Sequence, residues 1–108
     1  MRNYNNAIAV CNKYKDQARR AGMSRYNERM NVQMPNYQSD KDYINLSSSY
    51  QNMVDKFLYD SYIFGMGTYQ ERGAGAQLYD RLGGSPPNPE RYISKPPASE
   101  NEPQPGEY

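Results

Sequence analysis

The sequence contains few side chains that could carry out chemistry, and none of them is a histidine. Histidine is the most common general acid or base and the most common metal ligand in proteins. The single cysteine, Cys11, lies on an apolar helical stripe, which is typical of a buried and unreactive thiol. Two pairs of aspartates, Asp40 with Asp42 and Asp55 with Asp60, could in principle act together, but their spacing is ordinary for helix caps and a solvated helix face. The sequence therefore predicts a protein that is not an enzyme and that uses no cofactor and no metal ion.

Two glycine pairs, Gly65–Gly67 and Gly73–Gly75, could suggest a phosphate-binding loop. Neither pair is followed by the Gly-Lys-Ser/Thr of a nucleotide-binding loop, and no predicted strand precedes them. We therefore expect these glycines to end helices and to let two backbones approach closely.

Residues 13–29 are rich in basic side chains with tyrosines between them, a composition suited to neutralising phosphates and stacking on bases. The candidate nucleic-acid contacts are Lys13, Lys15, Arg19, Arg20, Arg25 and Arg29. The whole chain has a net charge of only +1, whereas dedicated nucleic-acid-binding domains are clearly basic. A solvated helix face, or a contact with an acidic protein surface, is therefore favoured over nucleic-acid binding.

Apolar residues at helical spacing predict a first helix over residues 3–34. Its stripe comprises Tyr4, Ala7, Ile8, Cys11, Tyr14 and Ala18, and is continued by Tyr26, Met30 and Met34. Gly22 could break this helix, and Pro35 ends it, because proline disfavours helical geometry in the residue before it.

A second helix is predicted over residues 40–64, starting at a capping sequence from Ser39 to Asp42. Its apolar positions alternate between spacings of three and four: Tyr43, Leu46, Tyr50, Met53 and Phe57. This pattern is too short for a coiled coil, so we expect the helix to pack antiparallel to the first one. A capping sequence from Thr68 to Glu71 precedes a short third helix over residues 76–82.

Residues 85–108 contain seven of the eight prolines and are predicted to form an extended or disordered tail, separate from a helical domain over residues 1–84. Tyr92, Ile93 and Tyr108 are its candidate partner-binding anchors. Pro86 to Arg91 also fits the spacing of some SH3 ligands, but in a proline-rich segment such a match arises easily by chance.

Tyrosine is the most informative excess in the composition, with 12 residues in a chain that has no tryptophan. Tyrosine suits interfaces because its ring is large and its hydroxyl remains hydrated, although some tyrosines could fill a core that is poor in leucine. Residues 1–34 carry seven basic and two acidic side chains, whereas residues 85–108 carry two basic and four acidic ones. A basic head and an acidic tail could contact different partners, or each other in neighbouring copies.

These patterns predict an all-α fold, a small hairpin of two main helices with a short third helix and an extended Pro-rich tail. The predicted function is that of a non-enzymatic accessory subunit of a large protein assembly. The specific expectation is a minor bacteriophage or viral virion protein, located in the virion or the cytoplasm. A membrane or secreted location is not expected, since no apolar run resembles a membrane span or a signal sequence. The alternatives are a nucleic-acid-associated packaging or core protein, and a soluble adaptor recognised through its tail.

Overall fold

The computed structural model describes residues 2–96, which are folded into α-helices and loops with no strand among them. The helices are α1 (Arg2–Ser24), α2 (Lys41–Ile44), α3 (Ser48–Gly67), α4 (Ala74–Arg81) and α5 (Pro89–Tyr92), with a 3-10 turn at Tyr37–Ser39. The predicted all-α class is confirmed. None of the described helices is long and apolar enough to cross a membrane.

Helix α1 ends ten residues before the predicted end. The Ser24 hydroxyl donates to the Arg20 carbonyl and accepts the backbone N–H of Val32 at 2.8 Å, so the chain turns back at this point. Gln17 then donates to the Gln33 carbonyl at 3.0 Å and holds the returning loop against α1. The stripe from Tyr26 to Met34 therefore belongs to a loop, and its helical spacing is overridden by these tertiary contacts.

The predicted antiparallel hairpin is wrong, because α1 and α3 run in the same direction. Asn3 at the start of α1 accepts the backbone N–H of Ser47, which caps the start of α3. At the other end, Gly22 of α1 faces Tyr62 of α3. Residues 25–47 connect the end of α1 to the start of α3. Because the two helices are parallel, this connection runs back along the length of the molecule.

The two main helices touch through their backbones. A Cβ atom on Gly22 would lie 1.9 Å from the carbonyl oxygen of Tyr62, and one on Gly65 would lie 1.9 Å from that of Arg19. Helices α3 and α4 meet in the same way, since a Cβ on Gly67 would lie 2.1 Å from the carbonyl oxygen of Gly75. The predicted close approach at Gly65, Gly67 and Gly75 is confirmed.

The predicted second helix is divided in two by Asn45–Ser47. Its capped start is confirmed, with Asp40 as the cap: the Asp40 side chain accepts the backbone N–H of Asp42 at 2.8 Å. The short third helix is also confirmed as α4. Its N-cap is Gly73, with φ of 104°, and no side-chain capping hydrogen bond forms there. Thr68 to Glu71 lie in the preceding turn, so the predicted capping box is wrong.

The core lies between α1 and α3, and its largest fully buried side chains are Val10, Cys11, Val54, Phe57 and Leu58. Tyr37 and Tyr43 close one side of it, and Ile93 is only 2% exposed on another side. Residues from the returning loop and from the proline-rich segment therefore complete a core that α1 and α3 alone leave open.

The first part of the proline-rich segment contains a helix. Asn88 caps α5 by accepting the backbone N–H of Glu90 at 3.0 Å, and Pro89 occupies the first helical turn, where a missing N–H costs nothing. The expectation that prolines exclude a helix is wrong at this position. The remaining tail, residues 97–108, lies outside the described residues, as does Tyr108.

Candidate interaction surface

Buried tyrosines of this chain donate their hydroxyls to aspartates. Tyr37 and Tyr43 both donate to the same oxygen of Asp55 at 2.9 Å, and their rings meet edge to face. Burial and the Asp55 carboxylate raise the pKa of Tyr43 to about 12 and raise that of Tyr37 as well. Both phenols therefore stay protonated at neutral pH and act as structural donors.

A second such contact joins α5 to α3. Tyr92 donates to Asp60 at 2.7 Å, while Lys56 binds the other carboxylate oxygen at 2.9 Å. Asp60 is only 6% exposed, so these two partners supply the compensation that a buried carboxylate needs. Of the predicted tail anchors, Tyr92 and Ile93 are thus placed against α3 of their own chain, and their predicted contact with a partner stays a prediction.

A third contact involves one of the candidate nucleic-acid residues. Lys13 and Tyr14 bind the same oxygen of Asp40 at 2.7 and 2.6 Å. The Lys13 and Tyr14 hydrogen bonds lower the pKa of Asp40 to about 2. Because Lys13 also lies 3.7 Å from Asp42, its charge is compensated within the chain.

Cys11 is fully buried among core residues. Burial raises the pKa of its thiol to about 12, so the thiolate that a nucleophile requires is not populated at neutral pH. The predicted burial of Cys11 is confirmed, and its lack of reactivity stays a prediction. No group of three or more side chains that could hold a metal ion occurs among residues 2–96.

The six candidate nucleic-acid residues do not share one face. Lys13 and Lys15 lie about 200° apart around α1, since each residue turns a helix by about 100°. Lys15 donates to Asn12, and Arg19 lies 4.0 Å from Asp16; both basic residues flank a cleft closed by Pro86 and Pro87. The remaining three are Arg20, Arg25 and Arg29, which lie towards the end of α1 and in the loop after it.

A large cleft lies between the end of α1, the returning loop and α3. We name it the tyrosine groove. It has a volume of about 590 Å³, and its lining includes Arg25, Glu28, Val32, Met34, Tyr59 and Tyr62. Arg25 donates to the Tyr62 hydroxyl at 2.9 Å and so fixes one wall of the groove.

Exposed apolar side chains concentrate at this end of the molecule. Tyr59 and Met34 in the groove are 57% and 38% exposed. Tyr26, next to Arg25, is 51% exposed, and Tyr69, whose hydroxyl accepts from Asn27, is 46% exposed. Of the five large apolar residues that are exposed in the described chain, only Ile44 lies near the opposite end of the molecule. Exposed tyrosine and methionine beside arginine are the composition of protein interfaces.

Three arginines have no acidic partner in the described chain: Arg25, which lines the groove, and Arg20 and Arg29, which are sequence neighbours of the lining residues Ala21 and Glu28. Arg20 and Ser24 share a face of α1, and Arg29 lies in the turn next to Glu28. The groove lining itself holds one basic residue, Arg25, and one acidic residue, Glu28. The excess of positive charge around the groove comes from Arg20 and Arg29, which are exposed beside it.

Sequence patterns singled out the arginines but missed the groove. One wall of the groove consists of residues 31–34, in the loop that folds back after Ser24. Helical spacing does not predict such a long-range contact. The available signal was the pair of serine and glutamine side chains, Ser24 and Gln17, which can bond a returning backbone. Comparison of the chain with known protein families, curated proteins and solved structures found no match.

Proposed function

We propose that this chain is a non-enzymatic binding subunit of a larger protein assembly and that the tyrosine groove is its partner-binding surface. The observation that carries the proposal is the concentration of exposed Tyr59 and Met34 in one groove with Arg25, which has no acidic partner in the described chain. Tyrosine, methionine and arginine are enriched at protein interfaces, and clustered anchors of this type supply most of the binding energy.

The buried groups also fit a binding subunit better than an enzyme. Cys11 is protonated and enclosed, and the tyrosines that touch aspartates serve as donors to buried carboxylates. A positioned acid, base or nucleophile at a cleft is what catalysis requires, and the tyrosine groove offers tyrosines, arginine and one glutamate instead.

Site-specific photo-crosslinking tests the proposal. A benzophenone amino acid replaces Tyr59 in one chain and Ile44 in another, both expressed in the native host. Ile44 is the matched control because it is 58% exposed, close to the 57% of Tyr59, but lies at the other end of the molecule. We expect a protein adduct from position 59 and none from position 44, and loss of that partner in Tyr59→Ala but not in Ile44→Ala. Equal adducts from both positions, or none from position 59, contradict the proposal.

The finer proposal, a minor bacteriophage or viral virion protein, rests on the sequence: a short, histidine-free, tyrosine-rich chain with a proline-rich tail. Such a chain has a small apolar core and gains order from multivalent contacts. Mass spectrometry of purified particles is the direct test, because a virion subunit co-purifies with them at a fixed copy number.

Nucleic-acid binding is the second candidate. It is favoured by Arg20, Arg25 and Arg29, which have no acidic partner in the described chain, and by the exposed Tyr26 and Tyr59 in the same region. It predicts binding to arbitrary DNA that weakens steeply with salt and is reduced by Arg20→Ala with Arg29→Ala. Lys13→Ala is the matched control, because Lys13 is already paired with Asp40 and should contribute little. No measurable DNA binding at low salt excludes this candidate.

A further inference from the structure

The arginines in and beside the tyrosine groove indicate what kind of segment the groove accepts. Arg20, Arg25 and Arg29 have no acidic partner among residues 2–96. Exposed Tyr59 and Met34 supply apolar contacts in the groove that Arg25 also lines. The complementary segment is acidic, free of lysine and arginine, and contains apolar or proline residues that can pack on tyrosine rings.

The chain itself contains a segment with this chemistry. Residues 97–108 carry Glu100, Glu102 and Glu107, no basic residue, three prolines and a tyrosine at position 108. Proline restricts the unbound segment, which lowers the entropy lost on docking. Charge and composition are therefore complementary between the tyrosine groove and residues 97–108.

The groove of the same molecule is out of reach for most of this segment. Lys95 lies over the Tyr4 ring, 6.0 Å from its centre, so the described chain ends near the start of α1. Ser24, beside the groove, is twenty residues further along α1, about 30 Å at 1.5 Å per residue. Glu102 follows Pro96 by six residues and can lie no more than about 20 Å from it.

We propose that the tyrosine groove binds residues 97–108 of a second copy of this chain. This inference rests on the proposed function and names its partner. The groove lies at the end of α1, whereas Lys95, shortly before the segment, lies at the start of α1. The contact is therefore head to tail, and each bound copy leaves one groove and one segment open. Such a contact forms a ring if the rotation from one copy to the next brings the last copy back to the first, and an open filament if it does not.

Charge reversal tests the proposal in the full chain. The groove variant carries Arg25→Glu and Arg29→Glu, and the tail variant carries Glu100→Lys and Glu102→Lys. Each variant alone places like charges opposite one another, so we expect self-association to weaken about tenfold or more. In a mixture, each groove meets a tail of opposite charge, and association should return. Sedimentation velocity over a concentration series measures all three samples.

The control variant, Arg2→Glu with Arg91→Glu, changes the charge equally at exposed positions away from the groove and should associate like the wild type. Circular dichroism confirms that each variant keeps its helices. The inference is wrong if the wild type stays monomeric at millimolar concentration. It is also wrong if the groove variant or the tail variant associates like the wild type, or if the mixture of the two does not associate. If the Tyr59 crosslinker then captures a different protein, only the identity of the partner is wrong. If it captures none, the proposed function fails as well.

Discussion

At the scale of single residues, tyrosine in this chain combines a buried or half-buried ring with a hydroxyl donated to a carboxylate. Four tyrosines do so with three aspartates: Tyr14 with Asp40, Tyr37 and Tyr43 with Asp55, and Tyr92 with Asp60. Three of the eleven described tyrosines are exposed. Tyrosine therefore supplies core volume that leucine supplies elsewhere, and its hydroxyl compensates the carboxylates of the half-buried Asp40 and Asp55 and the buried Asp60.

The contact at Asp40 predicts a pH dependence of stability. Its pKa is lowered to about 2 by Lys13 and Tyr14, from a normal value of 3.8. A carboxylate with a depressed pKa stabilises the folded state above its unfolded pKa, and this contribution is lost as the pH falls from about 4 to about 2. We expect Asp40→Asn to lower the free energy of unfolding at pH 6 and to approach the wild type near pH 2.

Urea denaturation of both chains between pH 2 and pH 6 measures that difference. The substituted amide can still accept the N–H of Asp42, so the helix cap is retained. Asp16→Asn is the control, since the Asp16 side chain is 77% exposed and lies 4.0 Å from Arg19. Exposed pairs of this type contribute little, so a larger effect at Asp16 than at Asp40 contradicts the prediction.

At the scale of elements, the crossing of α1 and α3 depends on glycine. A Cβ on Gly65 would lie 1.9 Å from the carbonyl oxygen of Arg19, and backbone on both sides restricts any adjustment. We expect Gly65→Ala to lower the free energy of unfolding by about 3 kcal/mol through overpacking, despite the better helix propensity of alanine. Asn52→Ala, at an exposed position of the same helix, should leave stability unchanged or raise it. Thermal unfolding, followed by circular dichroism, compares the unfolding midpoints of Gly65→Ala and Asn52→Ala. Similar midpoints would mean that the backbones of α1 and α3 are further apart than described.

The segment around α5 is the second element whose role is testable. Ile93 is 2% exposed in the core and Ile44 is 58% exposed, so the same substitution to alanine has different expected costs. Ile93→Ala should lower the free energy of unfolding by about 2–4 kcal/mol, whereas Ile44→Ala should change it little.

Truncation extends this comparison to the whole segment. Deletion of residues 85–108 should reduce helicity and stability, because Tyr92 and Ile93 are lost, while deletion of residues 97–108 alone should not. Circular dichroism and urea unfolding of both truncated chains decide between these outcomes. If the longer deletion is as stable as the full chain, α5 does not complete the core.

At the scale of the whole molecule, sequence reasoning succeeded where the signal was local and failed where it was long-range. The stripe of α1, the cap at Asp40 and the helix at Leu78 follow from spacing and side-chain chemistry within a few residues. The direction of α3 relative to α1 depends on the path of residues 25–47, which turns at Ser24 through contacts with residues eight and more positions away. The tyrosine groove depends on the same turn, so the site was missed together with the topology.

The parallel arrangement of α1 and α3 can be tested directly by distance measurement. In a Cys11→Ala background, spin labels are attached at exposed positions in the pairs Asn5→Cys with Asn52→Cys, and Asn5→Cys with Thr68→Cys. Asn3 lies beside Ser47 at the start of α3, so the first pair spans one end of the molecule, and the second pair spans most of the length of α3. The sixteen residues between positions 52 and 68 rise about 24 Å. We expect pulsed dipolar spectroscopy to give a distance about 15 Å shorter for the first pair than for the second. In an antiparallel hairpin the second pair would be the closer one. That result would also remove the wall that residues 25–34 provide for the tyrosine groove.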